Sequence, residues 1–200
     1  MHNFKANYDK ILEVLKSLDL ESENFLFQIR KPRLSDLEIV ALNLTSEYMS
    51  IDSEYQLFRI LPSDIKSLIE RSVYNRRKRR LFIHMERIRK LLAEKFNGSE
   101  KYFIVDSMPL EVCKLSRSSR SKICRETDYA IPNKGYCASQ KMHYYGYKLH
   151  AVCSAEGVFQ SLDISPASVH DIHYLKDIKQ QFKNCTLLAD KGYLSAEAKM

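Results

Sequence analysis

Apolar positions in the first half of the chain recur at the spacing of α-helices. A helix is predicted over residues 6–19, with one apolar face made of Tyr8, Ile11, Leu12, Leu15 and Leu18. Ser35 and Glu38 then form the pattern of a capping box, which predicts the start of a second helix. Further short helices are predicted as far as residue 98, where Asn97 and Gly98 supply a stop signal.

The second half of the chain has the pattern of β-strands. Tyr102–Val105 is a run of β-prone residues that leads into Asp106, and Pro109 is expected to end the strand. Residues 143–153 alternate between two faces, and a turn through Gly157 brings the chain back as a partner strand over residues 158–164.

A helix and a fourth strand complete this pattern. The spacing of Ser168 and Asp171 predicts a helix cap, and Leu187–Asp190 is an apolar strand that ends on an acid. Because a helical crossover between parallel strands is right-handed, the fourth strand is expected to lie beside the first and parallel to it. Asp106 and Asp190 would then meet at the carboxyl ends of adjacent strands, where open sheets form active sites.

This pair of aspartates is a candidate magnesium site. Mg²⁺ is held in proteins by one or two carboxylates together with water and substrate phosphates. An aspartate at the end of a strand is also an ordinary turn residue, so the structural alternative stays open for either residue alone.

Composition narrows the class of protein. The chain has no run of 18 apolar residues and its first residues are polar, which argues against a membrane span and a secretory signal. Its five cysteines form no C-x-x-C pair, so neither a disulfide framework nor a zinc knuckle is expected. A reducing, cytoplasmic location fits this usage.

Positive charge is concentrated in one segment. The formal net charge is +7, and residues 71–95 hold ten Lys or Arg against two acids. Such a concentration is typical of nucleic-acid contact, although a solvated helix face is the alternative. The candidate DNA-binding residues of this segment are Arg76, Arg77, Lys78, Arg79, Arg80 and Arg87.

The segment from Ser107 to Met142 is predicted to be mostly irregular. A loop of this length is usually functional or disordered, and Arg117, Arg120 and Lys122 are candidates for phosphate contact. Lys148, which shares a strand face with His150, is a further candidate.

Two histidines and one more acid are weaker candidates for a functional site. His170 and His173 lie three residues apart, but no third soft ligand accompanies them, so a zinc site is not expected. Asp171 is expected to cap its helix and to take no part in catalysis.

Four motifs together resemble bacterial insertion-sequence transposases of the DDE class. They are Phe-Ile-Val-Asp-Ser-Met-Pro (103–109), Tyr-Tyr-Gly-Tyr-Lys-Leu-His (144–150), Ser-Pro-Ala-Ser-Val-His-Asp (165–171) and Leu-Leu-Ala-Asp-Lys-Gly-Tyr (187–193). The helical half resembles the family in character only.

The resemblance implies a ribonuclease H-like catalytic domain that cuts and joins DNA with three carboxylates and two Mg²⁺ ions, Mn²⁺ being a possible substitute. Asp106 matches the first acid and Asp190 the second. The third, a glutamate, is expected well beyond Asp190, and Glu197 is too close to serve. The chain is therefore expected to be the front portion of such an enzyme, and by itself inactive in strand transfer.

The resulting expectation is an α+β protein in two parts. Residues 1–98 form a helical, basic, helix-turn-helix-like DNA-binding region. Residues 99–200 form a ribonuclease H-like domain with a mixed sheet, incomplete at its carboxyl end. Double-stranded DNA is the expected partner, the location is the bacterial nucleoid, and the complete enzyme is expected to be a homo-oligomer. The alternative function is a non-catalytic DNA-binding regulator derived from a truncated transposase.

Overall fold

A computed structural model describes residues 3–97, 100–126 and 128–193. The chain forms two compact units, with the division after Leu92. Gly98, Ser195 and Glu197, which entered the sequence argument as a helix stop, a helix cap and an acid, lie outside the described residues.

The first unit is built from helices. They are α1 (Phe4–Lys16), α2 (Asp36–Tyr48), α3 (Glu54–Ile60), α4 (Ser63–Lys66), α5 (Arg71–Arg80) and the first part of α6 (Phe82–Phe96). The predicted capping box is confirmed at the start of α2. Ser35 Oγ accepts a hydrogen bond from the Glu38 amide at 3.1 Å, and the Ser35 amide donates to Glu38 Oε2 at 2.6 Å.

One apolar core holds these helices together. Leu15 of α1, Leu37 and Leu42 of α2, Leu57 of α3 and Leu81 are all buried in it. Each fully buried side chain of this size contributes roughly 1.5–3 kcal/mol. The helical spacing that predicted α1 therefore reflects real packing, since Leu15 is buried and Lys10 on the opposite side is exposed.

The second unit contains a mixed sheet. Its strands are β1 (Tyr102–Cys113), β2 (Asn133–Cys137), β3 (Met142–Ser154), β4 (Phe159–Pro166) and β5 (Thr186–Ala189). β3 pairs antiparallel with β1 along one edge and with β2 and β4 along the other. β5 lies on the far side of β1 and runs parallel to it. The predicted α+β class, helices followed by a mixed sheet, is confirmed.

Two expectations about this sheet are wrong. β1 does not end at Pro109 but continues to Cys113, and residues 133–137, expected to be irregular, form β2. Among the described residues β5 pairs with β1 only as far as Val105, so Pro109 lies where β1 has a single partner, β3. A proline is tolerated in such a strand when its nitrogen faces the open edge.

Helix α7 (Asp171–Ile178) covers one face of the sheet. Tyr174, Leu175 and Ile178 pack against Phe103 and Val105 of β1. The N-cap is His170, whose Nδ1 accepts from the Ile172 amide at 3.4 Å, so the predicted caps, Ser168 and Asp171, are wrong: Asp171 is the first residue of the helix itself. Ser168 instead bonds Asn133, through its amide at 2.7 Å and its hydroxyl at 2.7 Å, and so ties the loop before α7 to β2.

None of the helices in the described ranges is long and apolar enough to cross a membrane.

Candidate active site

Asp106 and Asp190 follow a directly paired stretch of two parallel strands. Val105 of β1 and Ala189 of β5 are register partners, and each aspartate is the next residue along its strand. Neighbouring strands lie about 4.8 Å apart, so the parallel pairing carries both aspartates to the same level of the sheet. The expectation that they lie on adjacent parallel strands is confirmed.

Asp106 does not lie at the end of its strand. β1 continues for seven residues beyond it, and Asp106 pairs with Ala151 of β3. Among the described residues, what ends at this level is the pairing of β1 with β5. Both aspartates are exposed there.

A backbone amide fixes one oxygen of each carboxylate. Asp106 Oδ1 accepts from the Ser107 amide at 2.7 Å, and Asp190 Oδ1 accepts from the Gly192 amide at 2.8 Å. A Cβ at position 192 would stand 3.0 Å from Asp190 Oδ1 and 3.2 Å from Asp171 Oδ2. The absence of a side chain at Gly192 therefore lets two carboxylates approach the same turn.

A buried phenol lies behind the aspartates. Tyr193 is 2% exposed and belongs to the core of the second unit. Burial raises the pKa of its hydroxyl, and the negative charges of Asp171, Asp106 and Asp190 raise it further, while Ser107 opposes them with a hydrogen bond. The phenol thus stays protonated and acts as a neutral group among three carboxylates.

His150 extends this buried network. Its Nδ1 lies 3.4 Å from the Tyr193 hydroxyl, its Nε2 lies 2.8 Å from Ser165 Oγ, and its ring stacks on Tyr174 at 4.5 Å. Burial lowers the pKa of the imidazole. Sequence reasoning missed the role of Tyr193. The signal available was its place three residues after Asp190, behind the glycine that forms the turn.

Lys148 points into the domain. Its ammonium lies 2.7 Å from Asp171 Oδ1 and donates to the Val169 carbonyl at 2.9 Å, and both charged side chains are mostly buried. The pair connects β3 to the start of α7. Asp171 is thus the anion of an internal ion pair. Because Lys148 is engaged in this pair, it is less available for contact with a phosphate than the exposed cations are.

Arg77 has a structural role as well. Its guanidinium bonds Asp36 Oδ1 through Nη2 at 2.6 Å and through Nε at 3.2 Å, and it donates to the Leu34 carbonyl at 2.9 Å. Arg77 is buried and Asp36 is completely so. Lys78 is half-buried and lies 3.4 Å from Glu54. The basic run therefore contributes fewer free charges than its sequence shows.

The other candidate cations are exposed. On α5 and α6 they are Arg76, Arg79, Arg80 and Arg87. In the second unit Arg117 and Arg120 lie on a short 3₁₀ helix, Leu115–Arg120, and Lys122 follows it.

The donor set at the aspartates suits a hard cation. Carboxylate oxygens are the protein ligands of Mg²⁺, and two of them are enough because the ion keeps several waters. Within the ranges that the structure describes, no cluster of three or more His, Cys, Asp or Glu is arranged to hold a metal by protein groups alone.

Comparison with known proteins assigns the family. The profile of the transposase DDE domain matches residues 97–199, about half of the chain. The chain belongs to this family of insertion-sequence transposases. A transposase for insertion sequence element IS1106 from Neisseria meningitidis serogroup B is 40% identical over 57 residues. That match covers 28% of this transposase-family chain and only 20% of the relative. No solved structure matches the chain significantly.

Proposed function

We propose that Asp106 and Asp190 form the metal-binding centre of a transposase that cuts and joins DNA. The observation that carries this proposal is the parallel register of β1 and β5, in which Val105 and Ala189 are partners and one aspartate follows each. Membership of the DDE transposase family supports it, because that family uses acidic residues and divalent metal ions.

The local hydrogen bonds prepare both side chains for this role. The amides of Ser107 and Gly192 each occupy one Oδ1 and orient the carboxylate, which leaves Oδ2 of Asp106 and of Asp190 for a cation. Bound Mg²⁺ or Mn²⁺ ions would activate the attacking oxygen and stabilise the leaving oxygen of a phosphoryl transfer. Both carboxylates are exposed, so a DNA strand has access to them.

The first unit is proposed to bind double-stranded DNA. Its exposed cations on α5 and α6, Arg76, Arg79, Arg80 and Arg87, suit contacts to phosphates, which supply most of the sequence-independent affinity for DNA. Short helices followed by a basic helix fit a helix-turn-helix module. For the second unit, Arg117, Arg120 and Lys122 are proposed as further phosphate contacts.

A ribonuclease H-like fold is proposed for the second unit. The antiparallel strands β1, β3 and β4, the helical crossover through α7 and the placement of β5 beside β1 and parallel to it support this assignment.

Titration of a fluorescent duplex at several salt concentrations tests the DNA-binding part. Replacing Arg76, Arg79 and Arg80 by Ala removes three exposed charges, and each lost phosphate contact lowers the salt slope by about 0.9. We expect the slope to fall by about 2–3. The matched control replaces Lys10, Arg59 and Lys183, which are exposed elsewhere. Equal slopes for the two triple variants would contradict α5 as the contact.

A further inference from the structure

A basic cleft of about 450 Å³ lies in the first unit, between the loop before α2 and the segment from α4 to α5. The polar and charged residues used below line it: Gln28, Arg30, Lys31, Arg33, Lys66 and Glu70. None of them belongs to the basic run that the sequence analysis singled out.

The charge of this cleft is strongly one-sided. Arg30, Lys31, Arg33 and Lys66 are all exposed, and Glu70 is the acid among its lining residues. Within the described part of the chain none of the four cations forms a salt bridge. Arg77 also lines the cleft, but Asp36 already neutralises it. The four remaining charges are therefore available to an anion.

An unsatisfied donor points to the same kind of ligand. Gln28 Nε2 is buried and has no hydrogen-bond partner among the described residues. Leaving a buried donor unpaired costs about 1–3 kcal/mol, so such a group usually receives a partner from water or from a ligand. Because Gln28 lines the cleft, a small shift of its side chain would bring this donor to an oxygen acceptor bound there.

The cleft is continuous with the exposed basic side of α5. Val73 and Arg77 line the cleft, and Arg76 and Arg80 each follow one of them by three residues. Three residues turn a helix by about 300°, which places the second pair roughly 60° around the axis from the first. The phosphate backbone of one DNA strand can therefore contact the exposed arginines of α5 and continue into the cleft.

We propose that this cleft is a second contact for the phosphate backbone of DNA, made by Arg33 and Lys66 with Gln28 as a neutral donor. The inference rests on the proposed DNA binding of the first unit and extends it to a surface outside the basic run. Phosphate is the favoured anion because several separate cations line one cleft, and successive phosphates of a strand present charge at regular intervals.

The test is an anisotropy titration of the 200-residue chain with a fluorescent 20-base-pair duplex of random sequence. The Arg33→Ala, Lys66→Ala double variant should bind about tenfold more weakly near 50 mM salt, with a salt slope lower by about 1–2. The control, Lys10→Ala with Arg59→Ala, changes the net charge equally and should stay close to wild type. Gln28→Glu, which replaces the donor by an acid, should also weaken binding, measured at a temperature at which thermal unfolding shows the variant to be folded.

Three results would overturn the proposal. The first is equal binding by the cleft variant and its charge-matched control. The second is a Gln28→Glu variant that keeps full affinity for the duplex. The third is calorimetric binding of inorganic phosphate alone that is lost in the cleft variant, while DNA affinity is unchanged, which would make the cleft a site for free phosphate.

The α5 contact is judged separately in the same titration. If Arg76, Arg79 and Arg80 can be removed without effect while the cleft variant weakens binding, then the proposed α5 contact fails and the cleft remains.

Discussion

Arg77 Nη2 lies 2.6 Å from Asp36 Oδ1, and this ion pair is buried in the first unit. The other oxygen, Asp36 Oδ2, accepts the amides of Phe25 and Leu26 at 2.9 and 2.8 Å. One carboxylate thus connects the loop before α2, the first turn of α2 and helix α5.

Loss of Arg77 is expected to destabilise the first unit strongly. Arg77→Ala leaves the charge of Asp36 buried and uncompensated, which typically costs about 3–5 kcal/mol. Arg76→Ala, one residue earlier and exposed, should change stability by no more than about 0.5 kcal/mol. Urea unfolding followed by circular dichroism measures both.

A double replacement sharpens this test. Asp36→Asn with Arg77→Met removes both charges at similar volume, and the Asn side-chain oxygen can still accept the amides of Phe25 and Leu26. We expect it to be more stable than Arg77→Ala alone. Equal stability of Arg77→Ala and Arg76→Ala would show that the ion pair does not hold the helices together.

The buried imidazole of His150 is expected to make stability depend on pH. Its pKa is lowered in the folded chain by burial, and Asp171 opposes this shift while Lys148 adds to it. The unfolded chain therefore binds a proton near pH 6.5 that the folded chain disfavours. Stability present above about pH 6.5 should be lost as the pH falls from there towards the lowered pKa.

Urea unfolding between pH 7.5 and about pH 5 measures this loss, which has a limiting slope of about 1.4 kcal/mol per pH unit for one proton. The slope should shrink in His150→Gln and persist in His173→Gln, whose histidine is exposed on α7. The comparison uses slopes, so a general destabilisation of His150→Gln does not affect it. The same slope in both variants would contradict this assignment.

Local signals in the sequence predicted much of the fold. The capping box at Ser35 and Glu38 depends on residues three apart, and the crossover through α7 follows from the handedness of connected strands. The adjacency of the strands that deliver Asp106 and Asp190 was predictable for the same reason.

The features that could not be predicted from the sequence depend on contacts between residues far apart in the chain. The residues of β2, Asn133–Cys137, have weak strand propensity, and they form a strand because they pair with β3. Arg77 looks like its neighbours in the basic run, and only the position of Asp36, 41 residues earlier, gives it a buried partner. The face of β3 that carries Lys148 and His150 is the buried one. Asp171 provides the partner of Lys148, and Tyr193 and Ser165 provide the partners of His150.

The central claim is that Asp106 and Asp190 share a divalent cation. Isothermal calorimetry of Mn²⁺ binding to the wild-type chain, Asp106→Asn, Asp190→Asn and Asp163→Asn tests it most directly. Asp163 is the matched control, because it is an exposed strand aspartate whose Oδ1 accepts the next amide at 2.7 Å, as Asp106 does. We predict that either active-site substitution weakens Mn²⁺ binding at least tenfold, about 1.4 kcal/mol, and that Asp163→Asn leaves it unchanged. Equal Mn²⁺ affinity in all four proteins would contradict the claim.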